Sequence, residues 1–366
     1  MTGTVGTDVR AVRGPAARRP SRGLHALLVM VVAVVGAAGG ATAYDGIGSA
    51  ARVQTFADAV VVVAAADGAL REEAGEALVR AASRAAATPA DGARFAALAA
   101  ATDAGRAAVA RLVGAGPGGG WSDDVSEALA ASTDLDDTLV KARTEVVSSR
   151  SASFAANHYG QVVAGERAVL DALLRDLEGA TDDADVVRPA RVLGTVADLV
   201  AAAARERETG SALLATAPVV AGDHVTGAGL AEYVDTVRRQ DAAVAALAGL
   251  RPRPAAVGTA TGPDPAALEA ARDAVRRTAT ALESSPEARS AAVQRFAEVT
   301  GQRLVALDQA LAAVADGLRA AADEGRARAV RRAAAILAGT AAAAVTAALV
   351  TRAVTRRRTG RSGVTP

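Results

Sequence analysis

Apolar positions recur at helical spacing along most of the chain. The clearest run is Val293, Phe296, Thr300, Leu304, Leu307, Leu311, Val314 and Leu318. Its steps of three and four lay one stripe along a helix, the seam of a bundle or coiled coil. A second run, Val196, Val200, Ala203, Arg207, Gly210 and Leu214, keeps the same steps but puts an arginine in the inward column. A third, Leu135, Leu139, Arg143 and Val146, does so again. Punctuation falls at Pro89 after Thr88, in the Gly114 to Gly120 loop, at Thr181-Asp182-Asp183, from Pro218 to Gly222, from Arg251 to Pro265, and at Pro286 after Ser284-Ser285. Such Ser, Thr or Asp caps and first-turn prolines mark helix ends. The intervals predict helices over 24–87, 89–113, 122–148, 151–178, 185–217, 226–248, 264–283 and 286–355.

Two stretches carry no charge. Leu24 to Ala43 has 20 such residues, enough at about 1.5 Å per residue to cross about 30 Å of hydrocarbon. It reads as a first transmembrane helix, and the Arg-rich start and Ala41-Thr42-Ala43 also fit a cleaved signal peptide. Ala333 to Val350 has 18 uncharged residues, mostly Ala. Its insertion depends on Ile336, Leu337, Val345, Leu349 and Val350, because Ala is nearly neutral for insertion. Small residues at Gly36 and Gly40, and at Ala335, Gly339, Ala343 and Ala347, would let such helices approach closely and suggest a homodimer, although Ala and Gly are common throughout.

Composition points the same way. About a quarter of the 366 residues are Ala, and the aromatics are four Phe, three Tyr and one Trp. So few aromatics argue against sheets and for an all-α protein. There are no cysteines, which excludes disulfides and thiolate chemistry, and the scattered His25, His158 and His224 make no metal site. Lys141 is the only lysine among 41 basic residues.

The net charge of +1 is unevenly spread. Residues 1–23 hold five arginines against Asp8, and residues 352–366 hold five with no acid, so the middle has 31 bases against 39 acids, a balance of −8. Basic ends and an acidic middle fit a two-pass cell-membrane protein with both termini cytoplasmic. The implied divisions are a basic tail 1–23, a span 24–43, an extracytoplasmic helical domain 44–328, a span 329–351 and a basic tail 352–366.

No phosphate loop, activated nucleophile or metal spacing is apparent, so no enzyme, cofactor or metal site is expected. The acidic pairs Glu72-Glu73, Asp123-Asp124 and Asp182-Asp183 read as solvated charge, and basic residues interleaved with acids argue against nucleic acid. Arg143 and Arg207 are the informative positions. A guanidinium on an inward column must meet a carboxylate or an anion, or snorkel from the seam edge.

Leu199 to Leu214 (LVAAAARERETGSALL), Arg143-Thr-Glu-Val with Tyr159 sixteen residues after the Arg, and Phe296 to Ala322 running into an apolar helix together resemble the nitrate- and nitrite-sensing (NIT) domain of bacterial receptors and actinobacterial sensor kinases. The likeness covers 54–320. It implies two stacked antiparallel four-helix bundles binding nitrate or nitrite through inter-helical arginines. Arg207 and Arg143 match family positions, and Arg71 in Leu70-Arg71-Glu72-Glu73-Ala74-Gly75 is the nearest match to the first-half arginine, in reversed order. A guanidinium fork suits a planar monoanion. Only sixteen residues follow Val350, so a sensor of this kind is expected to signal through a separate cytoplasmic or membrane partner. The alternatives are a helical scaffold whose arginines are ordinary salt-bridge partners, or the remnant of a sensor kinase.

Overall fold

The computed structural model describes residues 22–83, 89–117, 120–148, 152–215, 224–250, 265–280 and 286–359. The predicted breaks at 84–88, 216–223, 251–264 and 281–285, residues 1–21 of the first basic tail and residues 360–366 of the second lie outside these residues. Among the described residues there are nine helices and no strand: α1 (Arg22–Ser83), α2 (Pro89–Leu112), α3 (Asp123–Thr133), α4 (Asp136–Ser148), α5 (Ala152–Ala180), α6 (Ala184–Ala215), α7 (His224–Leu250), α8 (Pro265–Thr280) and α9 (Pro286–Thr359). The protein is all-α. Helices α2, α8 and α9 begin at proline, which lacks the N–H that a first turn leaves unpaired.

One predicted helix, 122–148, is two. Ser122 caps α3 by accepting from the Val125 N–H, and the chain turns at Asp134-Leu135. Ser, Thr and Asp in this stretch compete with the helix for backbone hydrogen bonds. Arg106 of α2 holds the break open, donating to the Ser132 carbonyl at 2.6 Å and to Asp136 at 2.8 Å.

The chain forms two compact units, Gly48–Arg328 and the described parts of Met1–Ile47 with Ala329–Pro366. Among the described residues the larger unit has three apolar cores. A central one joins Val53 to Ala66 of α1, Leu170 to Leu177 of α5, Val186 to Ala203 of α6 and Leu304 to Ala322 of α9, with smaller shares from α2, α3 and α7. Beyond it, α1, α2, α4 and α5 close over Leu70, Phe95, Leu139 and Tyr159. Likewise α6, α7, α8 and α9 close over Leu214, Tyr233, Val275 and Phe296. These are two four-helix ends rooted in a shared core, and every member of the α9 seam from Val293 to Leu318 is buried. Each fully buried Leu or Phe there contributes about 1.5–3 kcal/mol relative to exposure.

Helices α1 and α9, which supply the smaller unit, are each long and apolar enough to cross a membrane. Val31, Val34 and Val35 of α1 and Leu337, Val345 and Leu349 of α9 are exposed. The close approach is made at Gly39, where an added Cβ would lie 3.1 Å from Ile336 Cγ2 and 3.4 Å from Thr340 Cγ2. Gly36, Gly40 and Gly339, the glycines singled out by the sequence pattern, face open space.

Candidate functional site

Three arginines stood out in the sequence, and the structure brings two of them together. Arg71 lies on α1 one turn beyond the central core, and Arg207 lies on α6 one turn beyond Ala203. Both line a cavity of about 470 Å³ walled by α1, α5, α6 and α9. Gly75, Asn157, Gln161, Arg167, Arg205, Glu208 and Leu304 complete its main surface.

Arg207 reaches this place because glycine faces it from two helices. A Cβ on Gly75 of α1 would sit 2.5 Å from Arg207 Nη1, and one on Gly301 of α9 would sit 3.7 Å from the guanidinium carbon. The Nη1 end of the guanidinium therefore approaches the α1 backbone at Gly75, where a Cβ would force it to shift. Among the described residues it forms no ion pair within 4.0 Å, and its buried Nε has no hydrogen-bond acceptor. Burial lowers its pKa, with Glu76, Glu72 and Glu208 acting in the other direction and Arg94 with burial.

Arg71 is almost fully buried at 4 % exposure. Its Nη2 lies 2.6 Å from Asp67 Oδ2, one turn back on the same helix. None of its nitrogens is aligned on an acceptor, so the pair is held by charge rather than by a directed hydrogen bond. Arg167 is committed to Asp171 and Asp198, each at 2.8 Å, and Arg205 pairs with Glu208 at 3.0 Å and with Glu232. Among the described residues, Glu208 is the one acid in the lining. Burial raises its pKa against the pull of Arg205.

Arg143 is elsewhere, in the first four-helix end. Its Nε and Nη2 grip Glu73 at 2.7 and 2.9 Å, its Nη1 meets Asp103 at 2.8 Å, and Tyr159 donates its hydroxyl to Glu73 at 2.7 Å. Glu73 is 0 % exposed, which corrects the reading of Glu72-Glu73 as a solvated pair. Burial pushes the Glu73 carboxyl up, but the bonds from Arg143 and Tyr159 outweigh it and hold the pKa below the usual range. Arg143 and Arg207 thus do not converge, and the inward column of α4 is satisfied by a carboxylate.

The second four-helix end repeats the arrangement. Glu206, also buried, takes a fork from Arg272 at 2.7 and 3.1 Å, a hydroxyl from Tyr233 at 3.3 Å and an amide from Gln240 at 2.7 Å, with Arg303 at 3.4 Å. One glutamate on a long helix, forked by an arginine and touched by a tyrosine from neighbouring helices, therefore holds each end together. The sequence reading missed Arg272, whose only signal is its place on α8, and Gly75 and Gly301, whose role needs the partner helix to be seen.

No protein-family model matches the chain, and no curated protein does. A solved structure of the NasR transcription antiterminator is similar, with a TM-score of 0.61 at 18 % identity over 86 % of this chain and 84 % of that one. At this identity the likeness concerns the fold.

Proposed function

We propose that the chain is a membrane-anchored sensor whose helical domain binds a small anion, nitrate or nitrite, in the cavity of Arg71 and Arg207. The observation that carries this reading is the Arg207 guanidinium: a mostly buried cation, seated on glycine, in a cavity, with no ion-pair partner among the described residues. A buried unpaired charge is costly, and an anion removes that cost. The fork of a guanidinium matches two oxygens of a planar oxyanion. Arg143 is assigned a structural role instead, so the anion is held from α1 and α6 rather than from three helices.

In this reading the apolar stretches of α1 and α9 lie in a bilayer, the larger unit is extracytoplasmic, and occupancy of the cavity shifts the packing of α1 against α6. A population shift of that kind is read by a separate partner, and the protein performs no catalysis. A helical scaffold is the second reading, favoured by how fully Arg143, Arg272 and Arg106 are used in internal ion pairs.

Calorimetric titration of the full chain in nanodiscs with nitrate, nitrite and chloride tests the proposal. Nitrate or nitrite binding that Arg207→Ala abolishes and Arg143→Met preserves is expected. No binding by either oxyanion to a folded protein overturns it in favour of the scaffold.

A further inference from the structure

Behind Arg71 stands a group of carboxyls that the anion site does not use. Asp67 of α1 is fully buried, and neither of its oxygens has a hydrogen-bond donor. Asp308 lies on α9, one turn beyond the cavity residue Leu304. Its Oδ1 is buried without a hydrogen bond, and among the described residues it has no ion pair within 4.0 Å. From α1, Arg71 favours the ionised form of Asp308, and Asp67 and Glu72 oppose it. The surroundings reach further, since Arg167 and Asp171 of α5 act on Asp67, and Asp198 and Glu208 of α6 feel Arg71. Arg71 is therefore the cation that carboxylates and a bound anion must share.

We propose that anion binding in this cavity is linked to proton uptake at Asp308. Resting on the anion-site reading above, this adds its regulation. With the cavity vacant, the ionised carboxylate of Asp308 helps to neutralise Arg71. An anion arriving at Arg71 and Arg207 brings a further negative charge into the same low-dielectric neighbourhood, and the carboxylate responds by taking a proton from solvent. Burial together with Asp67 and Glu72 already raises the Asp308 pKa to about 7, so the uptake falls within the neutral range. Linkage is reciprocal: if the anion favours the protonated carboxyl, protons favour the anion. Affinity is then flat below pH 7, where Asp308 is already protonated, and falls above it. One proton allows at most about tenfold per pH unit. Nitrate does not titrate in this window, so the change belongs to the protein. A receptor built this way reports an oxyanion most strongly where the surroundings are also acidic.

The test is calorimetric titration of the full chain with nitrate at pH 5.5, 7.0 and 8.5, repeated in buffers of different ionisation enthalpy, which counts protons directly and needs no variant. The expected result is net proton uptake at pH 7.0 and weaker binding at pH 8.5 than at 5.5. Asp308→Asn should raise the affinity at pH 8.5 to that at 5.5 and abolish the uptake, while His158→Gln, the imidazole control, should leave both as in the parent. Binding that is equal at all three pH values with no uptake, or a pH dependence that His158→Gln removes and Asp308→Asn keeps, overturns the proton link and leaves the anion site standing. Absence of nitrate binding at every pH overturns the anion site and the proton link with it.

Discussion

Replacing Arg143 by Met separates the two roles open to an arginine on an inward column. The substitution keeps most of the apolar stem and removes the fork from Glu73, which is 0 % exposed and retains the hydroxyls of Tyr159 and Thr102. Breaking a buried ion pair at one partner costs about 3–5 kcal/mol, because the remaining charge is uncompensated. At about 2–4 °C per kcal/mol for a unit of this size, the midpoint of thermal unfolding should fall by roughly 10 °C. The pH dependence has a definite sign. In the parent the Glu73 pKa is lowered, so its pairing stabilises the fold above the unfolded carboxyl pKa and the contribution is lost on acidification. Without Arg143, burial is expected to dominate and raise that pKa, so the deficit of the variant is largest above the raised pKa and shrinks as acidification protonates the stranded carboxyl. Adding Glu73→Gln removes the stranded charge while keeping an acceptor for Tyr159, and should recover at least half of the loss. Circular dichroism melts of the full chain measure all three proteins, and nitrate titration on the folded variant should give the affinity of the parent. An Arg143→Met midpoint within about 2 °C of the parent, or a folded variant that has lost nitrate, refutes this account of the pair.

Three further outcomes follow from the same geometry. Arg272→Met should cost less than Arg143→Met, because Glu206 still keeps Gln240, Tyr233 and the nearby Arg303; side-by-side melts decide the order. Gly75→Val should leave the helical content intact but displace the Arg207 guanidinium, whose Nη1 lies 2.5 Å from where the new Cβ would stand, and lower nitrate affinity by about tenfold or more. Leu307→Ala, at a fully buried seam position in the central core, should destabilise by about 2–5 kcal/mol in denaturant titration.

The all-α class and the buried faces of α6 and α9 were legible in the sequence. Helical periodicity is a local property: residues three and four apart share a face whatever the rest of the chain does. The stripe from Val293 to Leu318 is therefore readable before any partner helix is known, and so are the proline starts of α2, α8 and α9. The division at Asp134-Leu135 was less visible, because part of its stabilisation comes from Arg106, some 30 residues away.

What the arginines do was decided by tertiary structure. Arg143 and Arg207 occupy equivalent inward columns and look alike in sequence, yet one meets a buried glutamate 70 residues away and the other an open cavity. The difference lies in what stands opposite: Glu73 reaches toward α4, whereas Gly75, two residues on, leaves room for a guanidinium from α6. A side chain's own spacing reports the face it occupies, while its partner depends on how helices from distant parts of the chain come together. Charge on an inward column is thus readable from one dimension, and whether that charge is paired inside the fold or left for a ligand is settled only in three.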